Sequence, residues 1–553
     1  MGYVNGAGNI ITADPVLAAE YRAHGWWSDL TLAQRIRKLA TDRPDDPAYI
    51  TETRRFSWRD YERASDRVAL ALIGLGLARG DRVAVVLPDG PAVHAALVGV
   101  EKAGLVAVGI GARAGDREIA HLLTRTGAKA LITHGAQRGR SADDLRAAVV
   151  ALGAELPHLV LVPDFIAEPA QAILVDGEPA NAEGTVPPSL GIGPDELFLL
   201  NSTSGTTGLP KCVMHTPNRW YYFHKLAEAA GQFRSDEVFM GAVPAPFGFG
   251  MWTSHFSPTI LGCPTVVMER FDAHAALDLI EQERVTVLCC VSTQFIMILN
   301  AQAERPRNLS SLRSMFTGGE AVPYERAAEF EQVTGAAVLQ FYGSNETGAL
   351  SNTTAEDTRE HRLRTAGKII PEMDVRLFDP DTGEDITGKS QTGQPGCIGP
   401  ATCLGYWNDE AGNAKLFSRD GWMLMGDIVE IDDEGYLRVV GRTSDFIIRG
   451  GKNISAPAVE EEVGTHPAVA LVAAVAAPDK VFGERVAIYV VPRTGASVTL
   501  ESISAHLTAR GVSKEWFPEH LILVDELPIS SGGKVAKGSL KEDIKKRFAD
   551  QAR

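Results

Sequence analysis

The densest chemistry in the chain lies in NSTSGTTGLPKCV, residues 201–213, which follows an apolar run from Leu197 to Leu200. Gly205 and Gly208 admit backbone turns closed to other residues. Backbone N–H groups, with the hydroxyls of Ser202, Thr203, Ser204, Thr206 and Thr207, can then converge on phosphate oxygens. Lys211 adds a point charge. A solvated Ser/Thr/Gly surface turn has the same composition. A Walker loop does not fit, because Gly205 is followed by T-T-G-L-P-K rather than by four residues and then G-K-[ST].

Four more motifs follow in order: QFYGSNETG (340–348), GWMLMGD (421–427), GRTSDFIIRGGKNIS (441–455) and LPISSGGKVAKGSL (527–540). Together with STSGTTGLPK, this set resembles the adenylate-forming superfamily of acyl-CoA synthetases, aryl-acid ligases, luciferases and peptide-synthetase adenylation domains. The likeness runs from about residue 45 to 540 and points to the acyl-CoA ligase branch.

The resemblance implies chemistry in two steps. A carboxylate displaces pyrophosphate from ATP to give an acyl-adenylate, and a thiolate then displaces AMP. In-line phosphoryl chemistry between anions needs cations and oriented donors. By resemblance, the Ser202–Lys211 loop holds the β- and γ-phosphates, and Glu346 binds Mg²⁺, a hard cation suited to carboxylate and phosphate. TGGEAVP (317–323), with Gly318, Gly319 and Glu320, brackets adenine together with Tyr342 and Gly343. Asp427 takes the ribose hydroxyls and Arg442 supports ribose or phosphate. Asn345 neighbours the α-phosphate, and Lys534 bridges it to the carboxylate. Lys534, Glu346 and Lys211 are the expected catalytic groups. Asp445 matches a hinge about which a C-terminal domain rotates, withdrawing Lys534 and bringing in the loop of Arg449, Gly450, Gly451 and Lys452 for CoA. ATP, Mg²⁺ and CoA are the expected cofactor and co-substrates.

Several positions depart from the pattern. Phe247 stands where the family often has His, Asn345 and Met425 where it has Thr, and Gly533 where it has Ser. The run 393–407 lacks its Arg, and Ala458 replaces Glu. Together these weaken hydroxyl donors around an adenylate, which raises the alternative of an enzyme mainly forming the thioester from an adenylate supplied by a separate adenylating enzyme. A stand-alone adenylation protein loading a carrier-protein thiol, and a non-catalytic nucleotide-binding relic, are further alternatives. Retention of Lys211, Glu346, Asp427, Arg442 and Lys534 argues against the relic.

The acid pocket is expected along VPAPFGFGMWTSH (243–255), from Phe247, Gly248, Phe249, Gly250 and Trp252. Two Phe, a Trp and glycines suggest an apolar cavity with room beside the backbone, and no basic residue is present for a second carboxylate. YRAHGWWSDLTLAQRI (21–36) resembles the start of aryl- and alicyclic-acid ligases. The expected acid is bulky and cyclic: aromatic, alicyclic or a polycyclic terpenoid acid. No carrier-protein segment follows the Lys534 motif, so free CoA is the expected acceptor. A homodimer is left open.

The elements that must position these residues alternate in type. DRVAVVLP (81–88), LVAVGIG (105–111), AKALITH (128–134) and HLVLVPD (158–164) read as strands, with a helix over 90–104. Such spacing means βαβ units and covered parallel sheets. After residue 370, DVRLFDPDTGEDI and GDIVEIDDEGYLRVVG read as a small β-rich subdomain. From 446 a compact α+β unit begins. The expected architecture is a large α/β N-terminal domain, 1–444, made of two βαβ subdomains plus the β-rich one, and a small mobile α+β C-terminal domain, 445–553.

Composition bounds the rest. The 553 residues exceed one ordinary core. With 54 Lys and Arg against 70 Asp and Glu, the net charge is −16, which argues against nucleic acid as the partner. Six cysteines show no metal spacing and fit a reducing cytoplasm as core thiols. No spanning run or signal peptide is expected, hence no membrane insertion.

Overall fold

A computed structural model describes residues 3–5, 11–137, 139–202, 209–320, 322–442, 446–449, 452–530 and 534–548. Two large mixed sheets form the N-terminal domain. The first has eight strands among the described residues. Its centre is parallel and runs His158–Leu161, Ala130–Thr133, Arg82–Leu87, Val106–Gly111, Leu199–Ser202. These runs are mostly apolar, as burial on both faces demands. Helices Pro91–Lys102 and Asp116–Thr126 make the crossovers. The second ends at Gly127, whose φ of +61° closes the helix in the left-handed region.

The second sheet has nine strands among the described residues. Its parallel centre includes Phe239–Gly241, Val287–Cys289, Ser314–Gly318 and Ala337–Ser344. Cys289 and Cys290 are buried there, and all six cysteines are free thiols inside the protein. The β-rich subdomain is a five-stranded sheet of Val375–Phe378, Thr392–Cys397, Met423–Leu424, Asp427–Ile431 and Leu437–Arg442.

The smaller C-terminal domain is built on the long antiparallel pair Val469–Asp479 and Gly483–Pro492. Helices Ala456–Gly464, Leu500–Ala509 and Lys537–Arg547 cover it. Its apolar clusters, around Ile488 and Tyr489, draw their buried members from within this domain. Among the described residues no helix is long and apolar enough to cross a membrane.

Candidate active site

Five segments, distant in sequence, meet at the C-terminal edges of the two large sheets. Strand Leu199–Ser202 pairs antiparallel with Cys212–His215, and Ser202 stands opposite Cys212. The sheet therefore fixes Ser202 and Cys212, which flank residues 203–211. Thr203, Ser204, Gly205, Thr206, Thr207 and Gly208 lie outside the described residues. Lys211, at the return, places Nζ 4.3 Å from the centre of the Tyr406 ring. The Tyr406 hydroxyl donates to Glu346 Oε1 at 2.7 Å. Burial, reinforced by the Glu346 charge, raises the Tyr406 phenol far above its ordinary value, so it stays a donor.

Glu346 sits at the tip of the hairpin between Ala337–Ser344 and Gly348–Asn352. The tip folds on its own hydroxyls: Glu346 N and Thr347 N both donate to Ser344 Oγ at 3.1 Å. Gly348 is required there. Its φ is +71°, and a Cβ would stand 2.5 Å from Ala401 Cβ. From the far side, Arg219 of helix Pro217–Gly231 clamps the tip. Its Nε donates to Ala401 O at 2.8 Å, Nη1 to Asn345 O at 2.8 Å and Nη2 to Glu346 O at 3.4 Å, and Nη1 also meets His215 Nδ1. The side chain is only 2% exposed, and burial lowers its pKa to about 10, still cationic at neutral pH. The run 393–407 carries no arginine of its own. Arg219 brings a guanidinium to it. The sequence reading missed Arg219 and Tyr406; a lone cation among the aromatic residues of NRWYYF was the available signal for the first.

The Tyr342 hydroxyl donates to Asp427 Oδ2 at 2.9 Å, and Asp427 is 4% exposed. Asp427 pairs in register with Arg442, whose side chain is outside the described atoms. Beside them Gly318 packs so tightly that a Cβ would stand 2.3 Å from Phe341 O. Gly319 has φ +78°. Lys534 arrives here from the C-terminal domain and donates Nζ to Gly319 O at 2.7 Å. Glu320 accepts the N–H groups of Ser292 and Thr293 at a helix start; burial raises its pKa, and the Lys534 charge opposes that rise.

The acid segment departs from the expectation of open space beside its glycines. Phe247, Gly248 and Phe249 are half-buried. The room beside Gly248 is taken by Asn345, whose Oδ1 stands 2.8 Å from the position of a Cβ. Gly250 faces Pro244 O and Val243 O at 2.5 Å, a close backbone contact rather than a cavity. Trp252 is 2% exposed, and its ring packs on Phe223, Phe249, Phe316 and Phe341 with centroids 5.2–5.5 Å away. It backs the segment from the core.

Of the remaining expected residues, Asp445, Gly450 and Gly451 lie outside the described residues, and so does the side chain of Lys452. Arg449 is held inside the C-terminal domain, donating to Glu519 Oε1 and Glu515 O, both at 2.6 Å. Among the described residues no group of three His, Cys, Asp or Glu forms a metal centre. Glu346 fits Mg²⁺ only in company with phosphate oxygens.

A site of one acidic hairpin tip, a Tyr–Asp pair, a phosphate-type loop and a lysine delivered from a second domain belongs to a defined class. The AMP-binding enzyme family model matches residues 36–407 and its C-terminal domain model residues 458–534, so the chain belongs to the AMP-binding enzyme family and is an adenylate-forming acid–thiol ligase. It is 29% identical to the medium-chain fatty-acid–CoA ligase of Escherichia coli K12, covering 96% of this chain and 93% of that one. It is 31% identical to a salicylyl-CoA synthase / salicylate adenylyltransferase of a Streptomyces species, covering 96% of both. The crystal structure of ATP-bound MatB from Rhodopseudomonas palustris aligns with TM-score 0.78 at 25% identity, over 95% of this chain and all of that one.

Proposed function

We propose that this enzyme converts a bulky cyclic carboxylic acid to its CoA thioester through an acyl-AMP intermediate, with ATP giving AMP and pyrophosphate. The observation that carries this reading is the delivery of Lys534 from the C-terminal domain to Gly319 O, beside the Tyr342–Asp427 pair. In this arrangement a cation stands where the carboxylate and α-phosphate must meet. Lys211 and the Ser202–Gly208 hydroxyls receive the outer phosphates, and Asp427, oriented by Tyr342, accepts the ribose hydroxyls. Glu346, together with the phosphates, would hold Mg²⁺, which would supply charge neutralisation for the pyrophosphate.

The half-buried rings of Phe247 and Phe249, backed by Trp252 and Phe341, support an apolar acid. No Lys, Arg or His occurs from 243 to 254 to receive a second carboxylate. A relative named for salicylate supports a cyclic acid, and CoA in the names of both relatives supports CoA as acceptor. For the thioester step we place the hinge at Asp445, dividing 1–444 from 445–553, and the pantetheine path along Gly450 and Gly451.

One observation favours a second reading, a site biased toward thioester formation. Among the described residues, Asn345 Oδ1 is buried against Gly248 with no hydrogen-bond partner, a costly setting beside the Glu346 carboxylate. The deciding experiment is purified protein with ATP, Mg²⁺, CoA and a panel of cyclic and linear acids, with acyl-AMP and acyl-CoA both followed by mass spectrometry. Acyl-CoA from a cyclic acid in preference to linear ones is expected. Turnover confined to linear acids, or acyl-AMP that never reaches CoA, would overturn it.

A further inference from the structure

The segment that carries Phe247 to Phe249 is gripped from behind by three neighbouring strands of the first sheet. Ala245 donates its N–H to Asp89 Oδ1 at 3.3 Å. Asn201 donates Nδ2 to Pro246 O at 2.7 Å. Between them Pro246 rests on Gly109, where a Cβ would stand 2.5 Å from the proline Cβ. Asp89 follows strand Arg82–Leu87, Gly109 lies in Val106–Gly111, and Asn201 lies in Leu199–Ser202. Asn201 also directly precedes Ser202, where the phosphate loop begins.

Asp89 has a further layer behind it. His94 Nε2 is 3.7 Å from Asp89 Oδ1, and His94 Nδ1 is 3.0 Å from His255 Nδ1. The Tyr61 hydroxyl lies 3.4 Å from that same His255 nitrogen. Tyr49 stacks on His94 with centroids 4.5 Å apart and donates to Ser254 O at 3.0 Å. His255 belongs to the turn Met251–Phe256 that also holds Trp252. The network thus leaves the acid segment at Ala245, passes through helix Pro91–Lys102, and returns to the same segment at His255. Asp89 is 7% exposed, His94 0% and His255 1%. Burying so many polar groups is costly unless they fix something, and neither half-reaction uses them.

We propose that Asp89 and Asn201 are positioning residues for acid binding. They hold the Ala245–Pro246 peptide so that Phe247 to Phe249 stand at a set distance from Ser202, with His94 and His255 packed behind the Asp89 carboxyl. The proposal rests on the acid-binding assignment of residues 247–250 made above. The consequence is a defined distance between the acid and the nucleotide, in a reaction where displacement of about 1 Å can cost roughly 10²-fold.

The test uses the full chain and two readouts. Hydrogen exchange over residues 244–250 measures the grip without turnover, and KM for an accepted acid and for ATP measures its consequence. Asp89→Ala and Asn201→Ala are each expected to speed exchange in that segment and raise the acid KM about tenfold, while ATP KM stays within about twofold. Asp89→Asn, which keeps an acceptor toward Ala245, is expected to recover most of the lost acid affinity. If Asp89→Ala fails to fold, Asn201→Ala decides. Unaltered exchange in a folded Asn201→Ala chain, or acid and ATP KM rising together, overturns the proposal. Should the natural chain activate no acid at all, the functional reading fails by itself, and the exchange result alone then supports or overturns the grip.

Discussion

Lys534 reaches Gly319 O from the C-terminal domain. On the proposed function, replacing it by Ala removes a cation used while pyrophosphate is leaving. Adenylate formation in Lys534→Ala is expected to fall by roughly 10²–10³. Conversion of supplied acyl-AMP to acyl-CoA should persist. Equal loss in both half-reactions, measured by single-turnover mass spectrometry, would remove the assignment. Asn345 poses the converse question. Its Oδ1, without a partner among the described residues, faces Gly248, and its amide donor sits about one bond further out than a Thr hydroxyl would. A Thr hydroxyl is shorter and can donate. Asn345→Thr is therefore expected to raise the adenylation rate, by about tenfold if one charge-assisted hydrogen bond is regained. Pre-steady-state rates on one accepted acid check this, and an unchanged adenylation rate would make Asn345 an ordinary substitution.

At the level of elements, the hairpin tip at residues 344–348 depends on a helix that precedes it by more than a hundred residues. Arg219 holds two carbonyls there, of Asn345 and Glu346, and the Ala401 carbonyl beside them, and Cys403 N also donates to Glu346 O at 2.8 Å. Arg219→Met leaves the Asn345 and Ala401 carbonyls buried without the guanidinium. The expected loss is about 3 kcal/mol or more of stability in urea denaturation. A weaker apparent Mg²⁺ affinity should accompany it, because the Glu346 carboxylate is no longer aimed. Arg219→Lys, with one donor group in place of a planar fork, should fall between. A folded Arg219→Met chain whose Mg²⁺ titration matches the natural one would show that the clamp serves stability alone.

Across the whole molecule, the two domains meet at Lys534 and at other described groups. Arg493 of the smaller domain and Arg326 of the larger both donate to Asn300 Oδ1, at 3.0 and 2.9 Å, and Leu471 packs on the apolar cluster of the second sheet. Interdomain contacts that mix polar pairs and packing resemble transient interfaces, which permit one domain to move against the other. If Asp445 is the hinge, fixing its φ should trap the arrangement that places Lys534 at Gly319. Asp445→Pro is expected to accumulate acyl-AMP while thioester formation slows at least about tenfold, since the second step needs a different wall around the same adenylate. Thioester formation at the natural rate would move the hinge elsewhere.

Much of this was legible in the chain before folding. Strand and helix order followed from apolar periodicity, because burial on one or both faces of an element is a local pattern. Tyr342, Glu346, Asp427 and Lys534 were named by motif, and the fold brings Tyr342 to Asp427 and Lys534 to Gly319. The sequence did not show how the acid segment is backed. Its glycines suggested open space, yet Asn345 and the carbonyls of Val243 and Pro244 occupy it, since what lies beside a glycine is decided by the segment packed against it. Nor could it show Arg219 clamping Ala401, 182 residues away, or His94 meeting His255 across 161. Local order is set by neighbours along the chain. Which buried polar groups satisfy one another is set only when distant segments close-pack, and those tertiary pairings aim the side chains that the motifs name.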